Sequence, residues 1–534
     1  MGNFFCDCNR NTTNNIQQRH IVLNSMEHKH KKEQNYPSSI INNNNKTAVY
    51  STESTLNEIC NNNDDSIIIS KGKGQPEDKY NVISTIGQGS YGIVYKIMNK
   101  TTNELYTMKT IPKQNQTIHH IQKQIIKEIE FLEQIDHPNI IKIHEFYDLE
   151  DKICIISELC EGSPLSKYKG SPEMSSELEI AIIMFQLLSA INYCHNNNII
   201  HRDIKPNNIL IDNKHYKGHF NIKLTDFGTA KLYINPEKPN IIGSTHFTAP
   251  EVLNGTYAQK SDLWSCGVLL YYLLTTKYPF DGNDNNEIYT KIKNCVYDKL
   301  EGKQYKKISS EAKDFVYKLI KVDYNERLSA NQALEHIWFN KLKIKDKLYD
   351  LNINQMKSLL NNIFTFNVEK TLQIPVINYI VHNNLEKSSY INYAGILFNK
   401  IDINNDGCIN KNEFIHNINL IFSEFDTEID KEYLIKIFDK IDIYKSNKIG
   451  YTEFVGAAVD RNELLTENIL KEAFCFFDKD NSGTISLSNI KHAFSTVKGY
   501  NDDDFTAILE QINLINNDVI NLKEFTTIMK AIIT

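Results

Sequence analysis

The sequence lacks net positive charge, zinc-type cysteine pairs and any long apolar run, and each absence closes off a class of function. Its 59 Lys and Arg stand against 66 Asp and Glu, giving a formal charge of -7, so there is no global basic field to draw nucleic acid. The ten cysteines are scattered from Cys6 to Cys475, with neither metal-site spacing nor a secreted disulfide framework. They read as reduced thiols in a cytoplasmic chain. No stretch approaches the roughly 18 to 20 continuous apolar residues that span a bilayer, since GVLLYYLL at 267–274 is short and followed by polar residues. A secretory signal's apolar run is missing too.

At 534 residues the chain calls for three or four units at about 150 residues each. Residues 1–79 are Asn-rich with little apolar periodicity, so they cannot bury enough surface to offset chain entropy and are expected to be disordered. The stretch opens MGNFFC, which makes Gly2 a candidate for myristoylation, although Cys6 stands where the pattern wants Ser or Thr. One myristoyl chain binds membrane only marginally, so attachment at the inner face of a membrane would need a second signal. Palmitate on Cys6 or Cys8, or the basic cluster HKHKK at 28–32, would serve. The alternative is a plain tail with incidental cysteines.

From Tyr80 short strand-like runs alternate with turns (YNVISTIG, GIVYKIMN, ELYTMKTI), followed by a helical pattern, HIQKQIIKEIEFLEQI. Beyond about residue 160 long helical patterns dominate. The expectation is a small strand-rich lobe joined to a larger helical one. Within it, IGQGSYGIV at 86–94 places Ile86, Gly87, Gln88, Gly89, Gly92 and Val94 where backbone amides can approach phosphate oxygens. Lys109 lies on the next strand but one, to pair with the α- and β-phosphates, and Glu128 follows on a helix to hold that lysine. HRDIKPNN supplies Asp203 to orient a substrate hydroxyl and take its proton, Lys205 to neutralise the transferring phosphoryl, and Asn208 as a Mg²⁺ ligand. DFG adds Asp226 as the second metal carboxylate, and APE closes the segment at 249–251.

By these residues the stretch 80–338 resembles a eukaryotic-type protein kinase. The resemblance implies ATP and Mg²⁺ as cofactors, and Lys205 points to the serine/threonine class acting on protein substrates. It implies structural roles for a Glu251–Arg327 ion pair and for Asp262 as a brace. It also makes Ser157 the gatekeeper, so small a side chain that a back pocket should stay open. Because Arg202 precedes Asp203, Thr229, Ser244 and Thr245 become candidate control hydroxyls, with Glu237 as a fixed charge in their place. Two departures stand out. Pro164 and Asn207 occupy positions where related kinases carry acids, which predicts a weaker demand for substrate arginine.

Residues 339–385, free of glycine and with apolar residues at helical intervals in their first half, are expected to form a connector helix. In 386–534 a helix, polar loop, helix pattern recurs with loop starts at 402, 442, 478 and 513, spacings of 40, 36 and 35 residues. A calcium ion wants oxygens at slots 1, 3, 5, 7 and 9 with a bidentate Glu at 12 and Gly at 6. Loop one fills every slot with Asp402, Asn404, Asp406, Cys408 through its backbone, Asn410 and Glu413, around Gly407. Loop three offers Asp478, Asp480, Ser482 and Thr484 but has Asn489 at slot 12. Loop two keeps Asp442, Ser446 and Glu453, with Tyr444 at slot 3 and Asn447 at slot 6, and loop four retains Asn513 and Glu524.

Kinase, connector and four hands in this order resemble the calcium-dependent protein kinases of plants and protists. The implied fold is α+β, a bilobal kinase followed by an all-α, calmodulin-like EF-hand domain. The implied function is phosphorylation of protein Ser/Thr, inhibited by the connector and released by Ca²⁺. Two other readings stand beside it, a calcium-independent kinase with degraded hands and a calcium-sensing pseudokinase scaffold. Pseudokinases usually lose the strand Lys or the catalytic and metal Asp, whereas Lys109, Asp203 and Asp226 are all present.

Overall fold

The computed structural model describes residues 70–531, apart from 73, 90–91, 114–128, 130–131, 133–134, 169, 172–175, 217–218, 233–243, 367–371, 385–388, 424–428, 444, 479, 481, 487 and 491–518. The expectations for Gly2, Cys6, Glu128, Glu237, Tyr444 and Asn513 therefore lie outside the described residues. The first lobe is a six-stranded sheet of β1 (Ser70–Lys71), β2 (Tyr80–Gly89), β3 (Gly92–Asn99), β4 (Leu105–Pro112), β5 (Ile143–Asp148) and β6 (Lys152–Glu158), in the order β1-β5-β6-β4-β3-β2. Register sets Val94, Lys109 and Ile155 side by side across three strands. The glycine pattern has a structural cause besides phosphate approach, because a Cβ on Gly92 would lie 2.0 Å from the Thr110 carbonyl oxygen. Gly87 has open space where its side chain would be.

The second lobe is built on α1 (Glu177–Asn196), started by the Ser176 side chain accepting from the Leu178 amide, with Glu177 and Glu179 in its first turn. It is apolar nearly all round and buried from Ile180 to His195. By length and composition α1 could cross a membrane, which the sequence reading did not anticipate, but 83% of its apolar window is buried inside the protein. It is a core helix. Beside it runs α2 (Lys260–Thr275), and the lobe's brace is Arg327, fully buried, with Nη1 and Nη2 on the two Glu251 oxygens at 2.6 and 2.9 Å. The seven described cysteines are free thiols.

The expected single connector helix is broken. Short helices at Ile337–Lys341 and Ile344–Leu348 are split by Lys343 at φ 52°, and α3 (Ile353–Phe364) restarts under an Asn352–Gln355 capping box. Ile344 joins the kinase core with Leu348 and Tyr349 packed on it, whereas from Leu351 onward the apolar residues belong to the core of the hands. That second core gathers α4 (Gln373–Asn384), α5 (Ser389–Ile401), α6 (Lys411–Ser423), α7 (Lys431–Ile441), α8 (Tyr451–Ala458), α9 (Glu467–Phe477) and α10 (Leu522–Lys530). Short antiparallel bridges join the loops in pairs, Ile409 to Ile449 and Ile485 to Ile520. The last pairs loop four with loop three.

Candidate functional site

The cleft residues come from five chain segments, on β2, β4 and β6, at 201–208 and at Asp226, that the two lobes bring together. Lys109 Nζ on β4 lies 4.0 Å from Asp226 Oδ1. Asp226 and Arg202 are held at φ 67° and 69°, a left-handed backbone that is strained for side chains of this size and persists only where surroundings enforce it. At Arg202 the enforcing group is Asp262 on α2. Its carboxylate accepts from His195 Nε2 at 2.9 Å and from the amides of His201 and Arg202 at 3.0 and 2.9 Å. Burial works against its charged form, but the His195 hydrogen bond and nearby His charges outweigh this and hold it below the ordinary carboxylate range.

Asp203 is buried, with Oδ2 accepting from Lys205 Nζ at 2.6 Å and Asn208 Nδ2 at 3.0 Å. Among the described residues its Oδ1 is buried with no hydrogen-bond partner. A buried carboxylate oxygen without a donor is costly, and a substrate hydroxyl is the donor that fits. Overhead, Ile86 bulges from the β2–β3 ladder and is 46% exposed. At the back, the Ser157 hydroxyl shares a hydrogen bond with Thr107 Oγ1 at 2.6 Å, so its oxygen is engaged.

One sequence expectation changes. Thr229 is not a free control hydroxyl, for its Oγ1 donates to the His201 carbonyl and its own carbonyl accepts from Arg202 Nε. Pro164 bridges to Leu210, and Asn207 is exposed.

In loop one, the Asp402 carboxylate accepts from the amides of Asp406 and Gly407 at 3.2 and 2.9 Å, and Asn404 Oδ1 accepts from the Asp406 amide at 2.7 Å. Burial, then the Asp406 and Glu413 carboxylates, push Asp402 up to about 8, and burial raises Glu413 as well. Crowded, dehydrated carboxylates of this kind call for a cation, so the donor set fits Ca²⁺. Glu413 itself turns onto Asn410, and among the described residues no three Asp, Glu, His or Cys side chains converge as a metal cluster by themselves.

The weaker loops close on their own groups. In loop two Asp442 accepts from the amides of Ser446 and Asn447, both at 2.9 Å, and Glu453 from those of Ile443 and Gly450 at 3.1 and 2.9 Å. In loop three Asn489 Nδ2 reaches Asp480 Oδ1 at 3.4 Å, an amide spanning slots 12 and 3 where an ion would sit. In loop four Glu524 caps α10 by accepting from the Asn521 amide.

Sequence reasoning missed how the hands sit on the kinase. Loop one lies on α1, where Asn192 Nδ2 donates to the Asn405 carbonyl at 2.7 Å and Gly407 abuts the Tyr193 ring. His382 Nε2 meets the Ile143 carbonyl at 3.1 Å, and Asn99 Nδ2 donates to Glu472 Oε1 at 3.1 Å. A buried charge cluster, Asp136, Lys142, Glu158 and Lys223, lies under α8. The available signal was Lys142 and Lys223, each a lone cation in the apolar runs NIIKIH and NIKL.

A protein kinase domain family matches residues 80–339, an EF-hand domain pair matches 391–459 and an EF-hand domain matches 469–499. The chain is 32% identical over 456 residues to Calcium-dependent protein kinase 4 of Plasmodium berghei, and 33% to that of Plasmodium falciparum. Each alignment covers 84% of this chain and 85% of the relative. Calcium-dependent protein kinase 5 of Plasmodium falciparum is 31% identical over 452 residues, with 84% and 77% covered. Among solved structures, a C. elegans twitchin kinase fragment, titled an autoregulated protein kinase with immunoglobulin domains, is 28% identical. It matches with a TM-score of 0.46, covering 52% of this chain and 60% of that one.

Proposed function

Because the chain belongs to the calcium-dependent protein kinase family, we propose that it transfers the γ-phosphoryl of ATP to Ser/Thr hydroxyls of proteins, with Lys109, Asp226 and Asn208 holding the nucleotide and its Mg²⁺. The observation that carries this reading is the buried Oδ1 of Asp203, unpartnered among the described residues and placed beside Lys205 to take a hydroxyl proton as Lys205 offsets charge on the phosphoryl. ATP supplies the phosphoryl group and Mg²⁺ offsets its charge when both are bound.

Regulation by Ca²⁺ rests first on loop one and its seat on α1. The connector is the inhibitory element in this reading. Moving a switch from 1:99 to 99:1 takes about 5.5 kcal/mol, whereas one site at a hundred times its dissociation constant supplies about 2.7. At least one further loop must contribute, or the switch leaks. The calcium-independent alternative draws on one observation, the Asn489 bridge across loop three.

The deciding experiment is phosphate transfer to a generic peptide titrated against free calcium, for the parent chain and Glu413→Gln. A curve that rises with calcium and weakens in the variant supports the reading; equal output with calcium and with a chelator refutes it. We further read Gly2 and Cys6 as acylation sites giving peripheral membrane attachment, checked by fatty-acid labelling of Gly2→Ala and Cys6→Ser.

A further inference from the structure

We propose that hand two docks on the hinge of the ATP cleft, and that Asp136 and Lys142 are positioning residues that pass this contact to Glu158. This rests on the calcium-regulated kinase reading and adds to it a route by which the hands reach the nucleotide site.

The route begins at the start of α8. Its N-cap is Gly450, which has no side chain to satisfy the first-turn amides. The kinase supplies what is missing, for Asp136 Oδ2 accepts from the Thr452 amide at 2.6 Å, and a carboxylate at a helix N-terminus is favoured by the helix dipole as well as by the hydrogen bond. Asp136 Oδ1 is 3.1 Å from Lys142 Nζ, which donates to Thr452 Oγ1 at 3.3 Å and lies 5.3 Å from the centre of the Tyr451 ring. Two residues of hand two are thus enclosed by one acid and one base of the kinase.

From there the chain of contacts runs to the hinge. The Lys142 amide donates to Glu158 Oε1 at 2.8 Å, and Glu158 Oε2 pairs with Lys223 Nζ at 2.9 Å. Glu158 ends β6 directly after Ser157, the residue at the back of the cleft. All four charged side chains are buried, at 5% to 12% exposure. With two cations and two anions the cluster is neutral, so burying it leaves no charge uncompensated, whereas loss of one partner would. Hand two departs from the calcium pattern at slots 3 and 6, and it is also the hand that touches this cluster. Docking has a use for its helix that does not depend on the quality of its loop.

The test acts from the hand side, far from the nucleotide. Thr452 fills slot 11, which supplies no calcium ligand, and Thr452→Val removes the acceptor for Lys142 while keeping the backbone donor. In the full chain, Thr452→Val is expected to raise the half-activating calcium concentration and the KM for ATP, each about three- to tenfold, with kcat at saturating calcium and ATP unchanged. Thr452→Ser should restore both. Hydrogen exchange should show the amides of 143–148 losing protection in Thr452→Val. On the kinase side, Asp136→Asn should raise KM for ATP in the same direction, and adding Lys142→Met should not add its full separate effect. Unchanged KM, calcium midpoint and exchange in Thr452→Val would overturn the proposal. So would a lowered melting temperature as the sole consequence of Asp136→Asn. A parent enzyme that phosphorylates peptide at one rate with and without calcium would instead defeat the function proposed above, while the exchange comparison would still decide the dock.

Discussion

Replacing Gly407 by Ala tests whether the seating of loop one on α1 matters to the switch. Gly407 sits at φ 80°, and an added Cβ would lie 2.1 Å from Tyr193 Cδ2 and 2.8 Å from Cε2. The ring cannot simply turn away. It is 4% exposed, its hydroxyl accepts from the Asp136 amide at 3.0 Å, and it packs beside His137 at 5.4 Å between ring centres. The loop must withdraw instead, which gives up the buried Asn192–Asn405 hydrogen bond, worth about 1 kcal/mol. Left-handed strain adds about 1 to 2 kcal/mol. Since that strain stays with the loop docked or withdrawn, the docked arrangement itself loses about 1 kcal/mol, roughly a fivefold shift at 1.36 kcal/mol per decade. Gly483 in loop three has φ 78° with nothing within 4 Å of its would-be Cβ, so Gly483→Ala carries the strain alone. The assay is the half-activating calcium concentration for Gly407→Ala, Tyr193→Ala and the pair. Gly407→Ala should act much more strongly in the parent than in the Tyr193→Ala background. Equal effects in the two backgrounds would refute the reasoning.

The other predictions concern specificity, inhibition, ion count and stability. A peptide array should show little preference for arginine upstream of the phosphosite, since Pro164 and Asn207 bring no carboxylates; strong arginine dependence counts against this. Bulky ATP-competitive inhibitors should lose potency in Ser157→Met, and equal potency in parent and variant would contradict an open back pocket. Calorimetry should find more than one calcium per chain if the switch is tight, whereas a single site with fully off and fully on states breaks the population argument. Arg327→Ala strands a buried carboxylate and should destabilise the kinase lobe by about 3 to 5 kcal/mol, read as a lowered unfolding midpoint.

Much of the chemistry was legible because it is local in sequence. Asp203, Lys205 and Asn208 lie within six residues, and the slots of loop one within twelve, so spacing alone announces their roles. Lys109 and Asp226 are far apart in the chain, yet each carries its own short motif. What escaped reading depends on tertiary context. The connector looked continuous because its apolar period persists, while the breaks come from Lys343 and the Asn352 cap. Gly92 looked like a phosphate residue and also turns out to be required by the close approach of β4. The Asp136–Lys142–Glu158–Lys223 cluster joins segments up to 87 residues apart, and the Thr452 that meets it lies 310 residues from Lys142; no window of sequence contains it.

The handover between the two cores at Asp350 limits how far the sensor can travel. Tyr349 is packed on the catalytic core and Leu351 is buried in the core of the hands, so a single residue separates the two anchorages. While 344–349 stay in place, the hands can pivot about that point but not drift from it. Peeling those six residues away would pay out only roughly 20 Å of extended chain. Every posture the regulator can adopt therefore lies within a short radius of the kinase surface, and its local concentration there never falls to that of a free partner.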